Sequence, residues 1–374
     1  MNKEAQSADS SADDDALNVL RDKIDSVDRQ MQSLLQSRAR LAHEVGEVKA
    51  RTNAPVYRPE REASIFRRLR EQPSNNEADL LKGAALESIY REVISACREV
   101  ERRMRIAYLG PEGTFSEQAV LKHFGHGVEP MACASIDEVF RATEAGTAEF
   151  GVVPMENSTE GAVNRTLDLL LQSSVTISGE VLVPVEHCLM NSSGQVETIE
   201  RVGAHPQALA QCARWLDQNL PNAERVPVSS NAAAARDAAT EPDLAAIAGA
   251  SAAARYDLQI VRQGIQDDPG NRTRFAVIGE YVCGPSGQDQ TSLILSVPDE
   301  AGAVHRLIEP LARHGVSMKR FESRPARQRG WEYFFYIDLL GHAQDPLVMA
   351  ALDEIRGRAA YYKLVGSYPR SAES

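Results

Sequence analysis

The feature that most constrains this chain is one long apolar stripe near its start. Leu20, Ile24, Val27, Met31, Leu34, Arg38, Leu41, Val45 and Val48 alternate in steps of four and three, the seam of a left-handed helix pair. Residues 17 to 103 are rich in Leu, Arg and Glu and almost lack glycine, so the segment reads as all-helical. A helix from about residue 16 to 50 would be about 50 Å long at 1.5 Å per residue, too long for a compact domain of this size. The stripe therefore asks for a partner chain. Pro55 and Pro59 in TNAPVYRPERE end it; a second helix is expected from near Glu60 and a third from about Asp79 to Arg103.

Arg38 interrupts the stripe. Lys49, eleven residues on, is almost three whole turns away and points the same way. Arg21 lies seventeen residues before Arg38 and about 100 degrees round the axis, so it serves a different cavity or the same kind of cavity in a partner. Arg61, past the double-proline turn, returns toward the same region. One arginine on such a seam is ordinarily a packed stem with a snorkelling head. Several aligned cations fit better with a cavity that receives an anion, because burying them uncompensated is costly.

At 374 residues the chain exceeds what one core supports, so two or three domains are expected. From Arg105 short apolar runs alternate with helical stretches, indicating an α/β domain with a largely parallel sheet. LGPEGTFSEQAV sets a turn between strand and helix, with Thr114 and Glu117 as a capping box and backbone N–H groups suited to an anion. VVPMENSTEGAVN puts Glu156, Asn157, Ser158 and Thr159 at another strand end, where ligands of open α/β sheets gather. GPSGQDQ, residues 284–290, reads as a linker. The remainder has the βαββαβ order of an α+β, ferredoxin-like module, which by itself predicts no chemistry. The expected division is a disordered 1–15, a helical 16–103, an α/β 104–283, the linker, and 291–374.

A formal charge of -12 argues against nucleic acid as the main partner. The start is acidic without an apolar core, and no window of about eighteen apolar residues follows, so no membrane association and a cytoplasmic location are expected. Cys97, Cys133, Cys188, Cys212 and Cys283 are scattered without zinc-type spacing and read as reduced, packed thiols.

LRDKIDSVDRQMQSLLQSRARLAHEVGEVKA followed by PVYRPERE resembles the helical chorismate mutase family over about residues 16–103, an all-α, intertwined dimer whose active sites are shared. The resemblance implies that Arg38, Lys49 and Arg61 of one chain and Arg21 of the other hold the substrate's carboxylates, with Glu62 near its hydroxyl. Lys49 would donate to the ether oxygen as negative charge develops there, in a pericyclic step that needs no nucleophile, metal or cofactor. Glu101 stands where the family often has Gln; it is expected to work protonated, with mutase activity declining as pH rises past its titration. Arg58 and Cys97 stand where some members carry an acid and a hydroxyl.

LGPEGTFSEQAV, VVPMENSTEGAVN, AHPQALAQC and NRTRF, in that order, resemble prephenate dehydratase over residues 105–283. This implies two lobes, similar to periplasmic binding proteins, divided near Val183 and Ile265. It assigns hydrogen-bond donation to the departing hydroxyl to Thr273, supported by Asn157, Gln211 and Glu156, with Thr114 and Ser158 at the substrate and Arg274 on a carboxylate. Threonine is too weak an acid for full proton transfer, so donation within a network is expected. Ala204 stands where a serine is common, and His205 is expected to be structural.

SVPDEAGAVHRLIEPLARHGVSMKRFESRP resembles an ACT regulatory domain of the prephenate dehydratase type. Phenylalanine is implied to bind between two such modules through Gly302, Ala303 and Val304 with Glu322, Ser323, Arg324 and Pro325, while His305 departs from the usual pattern. The expectation is a bifunctional enzyme taking chorismate to prephenate and then to phenylpyruvate, as a homodimer or larger homo-oligomer inhibited by phenylalanine. The competing reading, an amino-acid-responsive binding protein without catalysis, is disfavoured by the aligned Arg38 and Lys49 and by the TRF motif.

Overall fold

The computed structural model describes residues 3–52, 54–71, 80–325 and 333–371. Helix α1 (Lys3–Thr52) is followed by α2 (Pro59–Glu71) and α3 (Gly83–Glu101). The backbone expected to be disordered up to residue 15 is helical from residue 3; the segment holds no glycine or proline to stop a helix. The start expected for α3 near Asp79 lies outside the described residues.

Leu20, Ile24, Val27, Met31, Leu34, Leu41, Val45 and Val48 are between 47% and 70% exposed in the single chain. Arg38, Ala42, Gly46 and Lys49, by contrast, are half-buried against α3. One helix thus offers two faces. Between its two cations the inner face carries only the small Ala42 and Gly46: a Cβ on Gly46 would lie 3.2 Å from Cγ of Glu101, so the glycine permits the close approach of α1 and α3.

The first α/β lobe contains β1 (Met104–Leu109), α4 (Phe115–Phe124), β2 (Val128–Cys133), α5 (Ile136–Glu144), β3 (Phe150–Asn157), β4 (Gly161–Ala162), α6 (Asn164–Gln172) and β5 (Thr176–Pro184). The second contains β6 (Cys188–Asn191), β7 (Arg201–Ala204), α7 (Pro206–Gln211), α8 (Ala213–Asn219), β8 (Glu224–Pro227), α9 (Asn231–Ala238), β9 (Leu244–Ala248), α10 (Ala250–Tyr256) and β10 (Gln259–Arg262). The chain then returns to the first lobe as β11 (Arg272–Gly279). The sheet orders are β2-β1-β3-β11-β5 and β10-β6-β9-β7-β8.

Both sheets are mixed rather than largely parallel. In the first, β1 runs parallel to β2 and β3, but β11 is antiparallel to β3 and β5. The physical reason is the route: a strand that returns from the other lobe re-enters between two existing strands, and local sequence does not encode its direction.

The C-terminal module is β12 (Asp289–Ser296), α11 (Ala303–Arg313), β13 (Met318–Pro325), β14 (Tyr333–Leu340), α12 (Pro346–Arg358) and β15 (Tyr361–Pro369), in the expected βαββαβ order. Its antiparallel sheet runs β13-β14-β12-β15. One face buries Leu293, Leu295, Phe335 and Ile337 against α11 and α12. The other face lies on the first lobe, where Ile294, Tyr336, Val365 and Tyr368 join the core that contains Leu167 and Leu170 of α6. Gly366 of β15 passes directly over the Ile177 carbonyl of β5, with no room for a Cβ. Among the described residues no helix is long and apolar enough to cross a membrane.

Candidate active sites

The close approach at Gly46 sets Lys49 against α3. Its Nζ donates to Glu101 Oε2 at 2.8 Å and to the Val56 carbonyl at 2.9 Å. Arg38 Nη1 donates to the Val93 carbonyl at 3.3 Å. Glu62 enters from α2, and burial pushes its carboxyl up from the usual range while Arg98, Arg91, Arg38 and Lys49 pull it back down. Arg38, Lys49, Glu62 and Glu101 are thereby gathered, with Cys97 buried one turn before Glu101. The carboxyl oxygen of Glu101 nearest Lys49 receives a hydrogen bond rather than giving one.

Other expected members lie outside this cluster. Arg58 pairs with Glu60 at 2.9 Å, and Glu60 in turn accepts from Tyr281 of the first lobe. Arg61 is exposed, and Arg21 is exposed with its guanidinium on Asn18 of its own helix. Arg21 sits some 26 Å up the helix from Arg38 by the rise of about 1.5 Å per residue. Within one chain it cannot reach the Arg38 cluster.

Sequence reading missed Arg98. This buried side chain lies 3.4 Å from Glu62, donates to the Phe124 carbonyl of α4, and covers the rings of Tyr57 and Phe124. Tyr57 in turn bonds His123 Nε2 at 2.6 Å. Burial, with Arg91 and Arg98 nearby, pushes the imidazole pKa down to about 3, so His123 is neutral in its bond to Tyr57. The only signal in the sequence was its position on the apolar face shared with Ile94 and Cys97.

A second site occupies the cleft between the lobes, a cavity of ≈ 830 Å³, within the roughly 300–1,000 Å³ of ordinary ligand pockets. β11 sets Thr273 opposite Asn157 of β3. Asn157 Nδ2 donates to Thr273 Oγ1 at 2.9 Å and to Asn271 Oδ1 at 3.0 Å. Asn157 Oδ1 accepts the N–H groups of Thr159 and Glu160. Those two backbone donors fix which way the amide faces, and Thr273 consequently accepts from Asn157 and keeps its own O–H proton available. Ser158 Oγ accepts from Arg272 N at 3.0 Å, pinning the loop to the start of β11.

Gln211 crosses from the second lobe. Its Nε2 donates to Glu160 at 3.3 Å and its Oε1 faces His187 Nε2 at 2.9 Å. An amide oxygen can only accept, so His187 carries its proton on Nε2; burial lowers its pKa and keeps it neutral. Sequence reading missed His187 and Asn271. Asn271 was discoverable, since it lies two residues before Thr273 and shares its strand face.

The turn before α4 is built as expected, with one shift. Thr114 accepts from Glu117 N, but Glu117 Oε2 reaches the N–H of Gly113 rather than that of the cap residue itself. His205 caps α7 through Nδ1 and Gln207 N, the structural part expected of it, and Ala204 is fully buried. Arg236 is the single lysine or arginine among the described residues lining the cleft.

Glu156 and Arg274, expected at the substrate, are on the wrong face for it. They are cross-strand partners one residue out of phase with Asn157 and Thr273, and successive strand residues point to opposite faces. Arg274 donates to Glu180 at 2.8 Å, Asp338 at 2.6 Å and the Tyr368 hydroxyl at 3.0 Å, so the carboxylates it holds belong to the protein. Glu156 lies 3.2 Å from Arg320 of β13. In the C-terminal module Gly302, at φ +77°, is the cap before α11, Ala303 is buried, Val304 half-buried and His305 exposed. Glu322 is half-buried, and Ser323 and Pro325 are exposed on β13. Arg324 is occupied by α6, bonding Asn164 at 2.6 Å and pairing with Asp168 at 3.1 Å.

These arrangements have relatives. Residues 20–102 match the chorismate mutase type II family, 106–282 the prephenate dehydratase family and 291–357 the ACT domain family. The bifunctional chorismate mutase/prephenate dehydratase of Neisseria gonorrhoeae is 47% identical over 363 residues, covering 95% of this chain and 98% of that one. Its counterpart from Pseudomonas aeruginosa is 44% identical over 369 residues, covering 96% and 99%. The crystal structure of prephenate dehydratase from Arthrobacter aurescens in complex with L-Phe is 34% identical with a TM-score of 0.67, covering 72% of this chain and 91% of that one. With a helical cation cluster, a two-lobed cleft and an ACT module matched in order and over almost its whole length, the chain belongs to the bifunctional chorismate mutase/prephenate dehydratase family of enzymes.

Proposed function

We propose that the helical domain rearranges chorismate to prephenate, and that the cleft between the lobes converts prephenate to phenylpyruvate. The observation that carries the second assignment is the Asn157–Thr273 bond, which leaves the proton of Thr273, a cleft-lining residue, available for donation. In that reaction the bond from ring carbon to carboxylate breaks and its electron pair enters the ring, releasing CO2. The ring hydroxyl departs, stabilised by the Thr273 O–H, and takes up a solvent proton to leave as water. A preorganised donor at the developing charge contributes about 10²–10³ in rate. With Arg236 as the sole cationic side chain described there, the substrate's carboxylates rely on backbone N–H groups of the first turns of α4 and α9, both of which open onto the cleft.

The mutase assignment rests on Arg38 and Lys49, which share the inner face of α1 with Glu62 and Glu101 around them. A second copy of α1 supplies two things the single chain lacks: cover for the exposed Leu20-to-Val48 stripe and an Arg21 within reach of the cluster. We therefore infer a homodimer. L-Phenylalanine is the proposed ligand of the ACT module, through Gly302 to Val304 and Glu322 to Pro325, acting as an inhibitor by binding the less active state more tightly. The five cysteines are all free and buried, which fits a reducing, cytoplasmic setting.

Chorismate loss and phenylpyruvate formation, followed by ultraviolet absorbance on wild type, Arg38→Ala and Thr273→Ala, test the pair of assignments. Arg38→Ala should lose the first activity alone and Thr273→Ala the second alone. Loss of both together in either variant, or of neither, refutes two separate sites.

A further inference from the structure

The strand pair β3/β11 has two functional faces. On one, Asn157 meets Thr273; on the other, one residue out of phase, Glu156 and Arg274 meet the ACT sheet. Both rear residues are held by charges of opposite sign from that module. Arg274 is locked: it bonds Glu180, Asp338 and Tyr368, while Asp338 also accepts from Ser292 and Tyr368 also accepts from Gln290. Its side chain is 15% exposed, and those of Glu180 and Asp338 are 2% and 5%.

Arg320 is held differently. Its side chain is 10% exposed and pairs with Glu156 at 3.2 Å, yet its Nε and Nη2 are buried without a hydrogen bond of good geometry. Groups left in that condition are costly, and rearranging them to gain a partner would lower that cost. Arg320 also shares the inner face of β13 with Glu322 and Arg324, and Arg324 grips α6 just beyond the Asn157 loop. A small slide of β13 would therefore pull on Glu156, whose peptide bond leads directly into Asn157.

We infer that Arg320 and Arg274 are positioning residues for the dehydratase pair, with Arg274 the fixed pivot and the Arg320–Glu156 pair the adjustable link between ACT module and cleft. Neither touches substrate. They act by setting where β3 carries Asn157 relative to Thr273, so the state of β13 reaches the cleft through the back of the strand pair. The inference rests on the dehydratase reading given above. Since coupling is reciprocal, whatever β13 does to the cleft, occupancy of the cleft does to β13.

The test uses the full chain as Arg320→Gln, Glu156→Gln, the double variant and Arg320→Lys. A drift of Asn157 by about half an ångström should lower dehydratase kcat about tenfold, on the scale of a hundredfold per ångström. KM for prephenate should hold, because no substrate contact is lost. Inhibition by phenylalanine should weaken in both single variants, the double variant should be no worse than either single one, and Arg320→Lys should recover part of the loss. Mutase activity, read on the same samples, reports that the chain is folded. Wild-type kcat together with wild-type phenylalanine inhibition in Arg320→Gln and Glu156→Gln would overturn the inference, as would additive losses in the double variant. An active wild type with unaffected variants sinks the link alone, whereas a wild type without dehydratase activity sinks the functional reading beneath it.

Discussion

Gly46→Ala sets two effects against each other in one methyl group. Alanine in a helix interior is about 1 kcal/mol more favourable than glycine, so α1 itself should gain stability. The new Cβ, however, would lie 3.2 Å from Cγ, 3.3 Å from Cβ and 3.4 Å from Cα of Glu101. Ordinary carbon contacts begin near 3.5 to 4.0 Å, so α1 and α3 must separate by about half an ångström. The Lys49–Glu101 pair at 2.8 Å spans that same gap. At about a hundredfold per ångström of misplacement, mutase kcat should fall roughly tenfold. Chorismate disappearance gives the rate, thermal unfolding the stability, light scattering the assembly state, and phenylpyruvate formation the internal control. The expected result is a slower mutase with an unfolding temperature no lower, assembly unchanged and dehydratase unchanged. A more stable variant with wild-type mutase kcat would refute the claim that this helix approach sets the site; an equal loss of dehydratase activity would show a general defect instead.

Other outcomes follow from the same geometry. Thr273→Val removes the cleft donor and should cost dehydratase about 10²–10³ in kcat while mutase is unaffected; a valine enzyme within a few-fold of wild type would show that the hydroxyl is dispensable. Leu41→Asp places a charge in the exposed stripe and should give monomers by light scattering, with mutase activity falling together with the dimer; active monomers would show that no partner arginine is needed. His123 has a folded pKa near 3, below the unfolded value of about 6.5, so its contribution is intact above that unfolded value and is lost as pH falls from there toward 3. Going from about pH 7.5 to 5.5 should cost roughly 1.4 kcal/mol through this group. Denaturant unfolding of His123→Gln, which keeps a partner for Tyr57, should lack that increment; an unchanged pH dependence would assign it elsewhere.

Much of this protein was legible because it depends on neighbours in sequence. The four-three rhythm determined α1 and left its stripe demanding a partner; turn chemistry determined the cap at Thr114; the βαββαβ order determined the fold of the C-terminal module; and the motifs placed Asn157 and Thr273 before any sheet was known. The tertiary structure alone decided which way adjacent residues face. Period-two alternation places Glu156 behind Asn157 and Arg274 behind Thr273, but only the register of β3 with the returning β11 says which member of each pair enters the cleft. Arg98 and Arg320 were invisible for a related reason. A buried guanidinium is chosen by what packs against it from another domain, and those contacts, to Phe124 and Glu156, span separations that no local pattern records. Arg38 shows both sources at once: sequence put a cation on the stripe, and packing turned it inward beneath α3 while the apolar residues around it stayed outside for a second chain.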